Sequence, residues 1–138
     1  MKIGIFDSGV GGLTVLKAIR KHYPRIDIVY LGDTARVPYG TKSKDTVIRY
    51  SLECAEFLKE KGVELLVVAC NTASSYALEV LRSKFDIPVF GVIEPGVQEA
   101  IKKTKNKKVG VIGTPATIKS EAYQKLLKLF GYEVVAKA

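Results

Sequence analysis

The sequence predicts an α/β domain, a doubly wound three-layer sandwich around a mostly parallel, flavodoxin-like sheet. Three observations predict it. Short apolar runs alternate along the 138 residues with longer segments of helical periodicity. The clearest run, Leu65-Leu66-Val67-Val68, is apolar at every position rather than at every second one, as in a strand buried on both faces of a parallel sheet. Alternation of strand and helix then requires right-handed crossovers that lay helices on both sides of the sheet.

Each element has its own signal. Ile3–Phe6 is a first strand, stopped by Asp7 and a glycine-rich turn, and Leu13–His22 reads as a helix. Ile26–Leu31 is a second, β-branched strand ending at Gly32-Asp33. Across Ser43–Lys61, the side chains of Val47, Tyr50, Ser51, Cys54, Phe57 and Leu58 fall on one helical face, with Ser43 as N-cap and Gly62 after the end. Glu64–Ala69 is the third strand and Thr72–Phe85 the third helix; Pro88–Val92 and Gly96–Lys103 are the fourth pair. Lys108–Ile112 is a fifth strand, Ala116–Phe130 a single fifth helix, and Glu133–Val135 a short last strand. The length suits one domain over residues 1–138, without linker, repeat or low-complexity segment.

Composition excludes several classes of function. Hydrophobic residues make up 47% and charged residues 26%, an ordinary soluble balance, and no apolar run approaches the roughly 20 residues that span a bilayer. No membrane association is expected. The first residues, Met1-Lys2-Ile3-Gly4-Ile5-Phe6-Asp7, lack a secretory pattern, so a cytoplasmic location with reduced thiols is the expectation. Two cysteines, Cys54 and Cys70, and one histidine, His22, offer no zinc spacing, and no metal is expected. The net charge of +8 is uneven: residues 1–100 carry 13 basic and 12 acidic side chains, residues 101–138 carry 9 and 2. Ile101–Lys108 supplies much of that excess. No aromatic residue interleaves its lysines as a base-stacking surface requires, so it reads as a solvated helix end rather than a nucleic-acid site.

In a doubly wound sheet, ligands sit beyond the carboxyl ends of the strands. The five ends here carry Asp7-Ser8-Gly9, Gly32-Asp33-Thr34, Cys70-Asn71-Thr72, Glu94-Pro95-Gly96 and Gly113-Thr114-Pro115-Ala116-Thr117. Cys70 is the most reactive candidate. It follows an apolar strand and precedes Asn71 and Thr72, good capping residues, so it lies by free N–H groups that favour thiolate over thiol. The competing reading is a small, inert buried cysteine ending a strand, in a domain that only binds a small anion or amino acid. Cys54, on the apolar face of a helix, reads as core.

Asp7-Ser8-Gly9-Val10-Gly11-Gly12 is a glycine-rich loop that matches neither GxGxxG nor GxxxxGK[ST]. Asp7 is a proton-handling residue or a turn residue capping the next helix, and Ser8 is placed to bond a ligand's charged end. Asp33–Gly40, with its charged pair and Pro38-Tyr39-Gly40 turn, is a pocket wall or an ordinary loop. Thr114 and Thr117 bind a carboxylate or phosphate, or simply cap a helix. A Ser-His-Asp triad fails because His22 lies at a helix end away from the strand ends.

Taken jointly, these segments resemble glutamate racemases of the aspartate/glutamate racemase family. The resemblance is carried by Phe6-Asp7-Ser8-Gly9-Val10-Gly11-Gly12-Leu13-Thr14-Val15, Gly32-Asp33-Thr34-Ala35-Arg36-Val37-Pro38-Tyr39-Gly40, Val68-Ala69-Cys70-Asn71-Thr72-Ala73-Ser74, Gly91-Val92-Ile93-Glu94-Pro95-Gly96 and Gly113–Thr117. It implies a cofactor-independent interconversion of L- and D-glutamate, supplying D-glutamate for peptidoglycan. Two thiols on opposite faces of the substrate Cα exchange its proton. Carried over by motif, Cys70 is one of the two and Asp7 assists it. Ser8, Pro38, Tyr39, Gly40, Asn71 and Thr72 hold glutamate, with Thr114 and Thr117 as further contacts. The family's second thiol belongs to a Cys-Thr-His motif in a second domain. That motif is absent here, so the chain is expected to carry half an active site, to be inactive alone and to need that second domain. A homodimer joining two copies of Cys70 at one site is the other way to complete it.

Overall fold

The computed structural model describes residues 1–138. Its main sheet is built from β1 (Lys2–Asp7), β2 (Asp27–Gly32), β3 (Leu65–Val68) and β4 (Val89–Phe90), in the order β2-β1-β3-β4. Every pairing is parallel. The order reverses direction at β1, so β2 and β3 leave the centre on opposite sides. This is the switch point at which α/β sheets open a crevice.

The two faces of this sheet alternate along each strand, as the pleat requires. Ile3, Ile5, Ile28, Tyr30, Leu65 and Val67 point one way and pack with Val15, Leu16 and Ile19 of α1 (Leu13–His22). Phe6, Val29, Leu31, Leu66 and Val68 point the other way, into the larger core under α2 (Lys44–Glu60) and α3 (Asn71–Lys84). The three layers and doubly wound fold expected from the sequence are therefore present. Ser43 caps α2 as expected, its hydroxyl accepting from the Thr46 N–H at 3.2 Å. The helix ends before Gly62, which takes a positive φ of 76°.

The second half departs from the expected pattern. β5 (Lys108–Ile112) does not join the main sheet but pairs in parallel with β6 (Glu133–Lys137), which runs two residues longer than expected. Around this pair lies a separate small core of Ile93, Val97 and Leu127, with Val109, Val111 and Val134 packed on it. α4 starts earlier than its apolar pattern suggested, at Ile93, and spans Ile93–Lys103. The single helix expected over Ala116–Phe130 is two, α5 (Pro115–Ser120) and α6 (Ala122–Leu129), broken at Glu121 in the left-handed conformation, φ 58°. The Ser120 hydroxyl takes over at the break, donating to the Thr117 carbonyl at 2.6 Å and accepting from the Ala122 N–H at 3.2 Å. No helix is long and apolar enough to cross a membrane.

Candidate active site

The carboxyl ends of β1 and β3 sit side by side, because Phe6 is in register with Val68 and the Ala69 N–H donates to the Phe6 carbonyl at 2.8 Å. This pairing brings Asp7-Ser8 and Cys70-Asn71-Thr72 to one point of the sheet. Cys70 is itself the N-cap of α3, where the sequence suggested the two residues after it. Its extended backbone (φ −91°, ψ 125°) turns the sulfur over the helix start, and Sγ accepts from the Ala73 N–H at 3.4 Å. The same sulfur donates to Ser8 Oγ at 3.6 Å. The thiol thus faces a helix N-terminus, whose partial charge is positive, and the Ser8 hydroxyl.

Asp7 does what a capping residue does: Oδ2 accepts from the Gly12 N–H at 2.9 Å, at the start of α1. A Cβ on Gly12 would lie 2.7 Å from the Cβ of Asp7, so glycine is what lets the carboxylate fold back onto the loop. Tyr30 holds the same loop from the strand beside it, its hydroxyl donating to the Gly9 carbonyl at 3.0 Å. Burial pushes the Tyr30 phenol up, with the charges of Asp7 and Cys70 adding to it, so it stays a neutral donor.

The expected candidates converge. Asp7, Ser8, Pro38, Tyr39, Gly40, Cys70, Asn71, Thr72 and Thr114 all line one cleft of about 380 Å³ above the strand ends. Gly11, Thr14, Val15, Ala69 and Val92 complete its lining. Thr117 does not line it. It is buried behind the wall, and its hydroxyl closes a triangle with Thr72 (3.3 Å) and Thr114 (3.0 Å), whose own hydroxyls are 2.9 Å apart. The triangle ties the start of α3 to the start of α5, where Thr114 Oγ1 also caps the helix by accepting from the Thr117 N–H.

Three groups in the site were not read as functional from the sequence. Tyr123, in the first turn of α6, donates to Asn71 Oδ1 at 2.5 Å, which leaves the amide NH₂ of Asn71 as its free donor. Asp33 and Arg36 were noted only as a charged pair in a loop. Here they are joined by a 2.7 Å Nε–Oδ2 bond behind the Pro38–Gly40 wall. The Tyr123–Asn71 contact spans 52 residues of chain and no local pattern announces it, whereas Asp33 and Arg36 stand three residues apart in one loop. Cys54 is core as expected, in the cluster with Val47 and Leu58, on the far side of Tyr39 from the cleft.

With this geometry in place, the family model described as Asp/Glu/hydantoin racemase matches residues 13–138. The chain belongs to that family. A curated glutamate racemase from Aquifex pyrophilus is 74% identical over all 138 residues, which cover 54% of that protein. The solved structure of the Aquifex pyrophilus enzyme superposes on the whole chain with a TM-score of 0.98, over 55% of its own length. A glutamate racemase from Francisella tularensis, solved in complex with D-glutamate, is 42% identical with a TM-score of 0.88, over 98% of this chain and 51% of that one. One from Escherichia coli, solved with L-glutamate and the activator UDP-MurNAc-ala, is 35% identical with a TM-score of 0.82, over 99% of this chain and 53% of that one. The chain therefore spans about half the length of the relatives it matches.

Proposed function

We propose that this chain supplies one acid/base thiol, Cys70, and one wall of the substrate cleft to a cofactor-independent glutamate racemase that makes D-glutamate for peptidoglycan in the cytoplasm. The observation that carries the reading is the seat of the Cys70 sulfur. It lies at a helix N-terminus, 3.6 Å from Ser8 Oγ, in a cleft the size of a small amino acid's surroundings. Membership of a racemase family and the names of the similar proteins support glutamate as the substrate.

In the proposed reaction, Cys70 as thiolate takes the α-proton from one face of glutamate, breaking the Cα–H bond and forming S–H. The electron pair left on Cα spreads into the α-carboxylate. Hydroxyls of Ser8 and Thr72, the Asn71 amide and the N–H groups at the start of α3 are donors suited to that charge. A second thiol on the opposite face then gives its proton to Cα and becomes the thiolate. The enzyme ends one proton-transfer out of phase, and the reverse reaction or exchange with water resets it. Asp7, fixed by Gly12, assists proton movement at Cys70. No electrons enter or leave, so the step calls for no oxidant or reductant.

The second thiol is not Cys54, which lies behind Tyr39 and Arg36 with burial pushing its pKa up. It comes from a second domain or from a facing copy of the chain. The test follows glutamate inversion by circular dichroism, together with deuterium uptake at Cα in heavy water. The full-length protein is expected to invert both enantiomers, and Cys70→Ser to abolish inversion. The 138-residue chain alone is expected to be inactive; robust inversion by a strict monomer of it overturns the two-thiol division, and a fully active Cys70→Ser protein overturns the role of Cys70.

A further inference from the structure

We propose that Asp33 and Arg36 are positioning residues of the reaction, holding the Pro38–Gly40 wall of the cleft through Tyr39, whose phenol is a strut and not a substrate ligand. The proposal rests on the racemase reading above and adds two residues and a changed role for a third.

The wall is clamped at both ends. At its start, the Asp33 N–H donates to the Asp7 carbonyl at 2.9 Å, one residue beyond the end of β2, so Asp33 is registered on the strand that carries Asp7. At its finish, the Gly40 carbonyl accepts from the Ala116 N–H at 3.0 Å. A Cβ on Gly40 would stand 2.4 Å from the Cβ of Thr114, so the wall is seated directly on that threonine.

Between these ends the chain is held from behind. The Asp33 carboxylate, in a residue only 9% exposed, accepts from Arg36 Nε and from the Tyr39 hydroxyl. The Arg36 guanidinium lies 4.1 Å from the centre of the Tyr50 ring and bonds the Glu53 carboxylate, both on α2. Tyr39, 1% exposed, packs its ring on Tyr50 at 5.7 Å. Its hydroxyl is directed to Asp33 and lies 3.8 Å from Cys54, so the side chain is spent behind the wall, and the main chain of Pro38–Gly40 is what remains for the cleft.

Stability alone does not account for this cluster. The Asp33–Arg36 pair adds little to stability by itself, because the Asp33 carboxylate gives up most of its hydration while solvent still screens the partly exposed Arg36 guanidinium. What such a pair does supply is register, since its geometry is met in one arrangement only. Here the element put in register is the cleft wall facing Cys70.

The test uses the full-length protein with Asp33→Asn and Tyr39→Phe, both nearly isosteric, and Arg36→Ala with Arg36→Lys beside it. A loosened wall binds glutamate poorly, so KM is expected to rise about tenfold in Asp33→Asn and Tyr39→Phe while kcat stays within about threefold, with Arg36→Lys recovering part of the Arg36→Ala loss. A merely structural role lowers the folded fraction and so the apparent kcat, leaving KM unmoved; that result, or unchanged kinetics, overturns the proposal. A second readout does not depend on turnover: the rate of Cys70 alkylation by iodoacetamide, followed by peptide mass, is expected to rise several-fold in both variants, and an unchanged rate overturns the proposal. A wild-type protein that alkylates as expected but does not invert glutamate overturns the racemase reading instead.

Discussion

Cys70 caps the start of α3 and Cys54 sits midway along α2, and both are nearly closed to solvent, 6% and 3% exposed. Burial therefore does not separate them; their neighbours do. Cys70 has a helix N-terminus on one side, the Ser8 hydroxyl on another and a cleft in front. Cys54 lies within an α-helix, where the backbone has no free N–H to offer, and its neighbours are the Asp33 carboxylate, the Tyr39 phenol and the Arg36 guanidinium, all 3.8–3.9 Å away and all engaged with one another. Desolvation is the largest influence on that thiol and holds it protonated. One cysteine thus opens on a cleft and a helix N-terminus, and the other is shut into a core that holds it neutral.

The largest effect expected from this contrast is on turnover. Cys70→Ser replaces a usable base by a hydroxyl and is expected to lower racemisation by the full-length protein by about 10³-fold or more, whereas Cys54→Ser costs less than about tenfold. Polarimetry of both variants checks it, and comparable losses would erase the distinction between the thiols.

Next comes the wall that separates them. Gly40→Ala forces its new methyl against Thr114, where nothing can yield cheaply because the obstruction is the Cβ itself. A loss of about 2 kcal/mol is expected from such overpacking, read from the urea midpoint; a neutral result means that the wall is not seated where it is described.

A smaller effect concerns pH. Burial raises Cys54 above the ordinary thiol value of 9.0, and burial with the Asp33 bond raises Tyr39 above the ordinary phenol value of 10.0. Both groups are neutral when protonated. Above those values the unfolded chain gives up protons that the fold retains, so stability is complete below pH 9.0 and falls as pH rises through the raised values. Each group contributes a slope of up to about 1.4 kcal/mol per pH unit. Urea melts across the alkaline range are expected to show this decline, and Tyr39→Phe to remove the phenol's share of it. The smallest effect is expected of Cys54→Ala, about 1 kcal/mol of stability for the lost sulfur, measured the same way.

How much was legible follows the range of the physics. The strands of the main sheet, α1 and α2 were readable because their signals are local: apolar runs, helical periodicity, a Ser43 cap and Gly62 at the stop. Cys70 and its cleft partners were readable because a parallel sheet brings strand ends together whatever their order. The break at Glu121 was not, since Ala116–Phe130 keeps its helical period across it with neither glycine nor proline to mark the turn; side-chain bonds from Ser120 and Gln124 make the interruption. The pairing of β5 with β6 was missed for a related reason: valine and isoleucine say that a strand is buried, not which strand lies beside it. Thr117 was placed in the cleft, and the fold puts it one layer behind.

By itself the sequence determined the alternation of strand and helix and the strand ends at which the candidate cleft and Cys70 are found, because each depends on residues adjacent or one turn apart. Only the tertiary structure decided which residues stand behind the site: Tyr123 on Asn71, Thr117 on Thr72, Arg36 on Glu53. These bonds join side chains whose proximity is set by how helices and loops dock. A hydrogen bond requires its partners within a few tenths of an ångström, a precision fixed by the packed whole and not by any stretch of the chain.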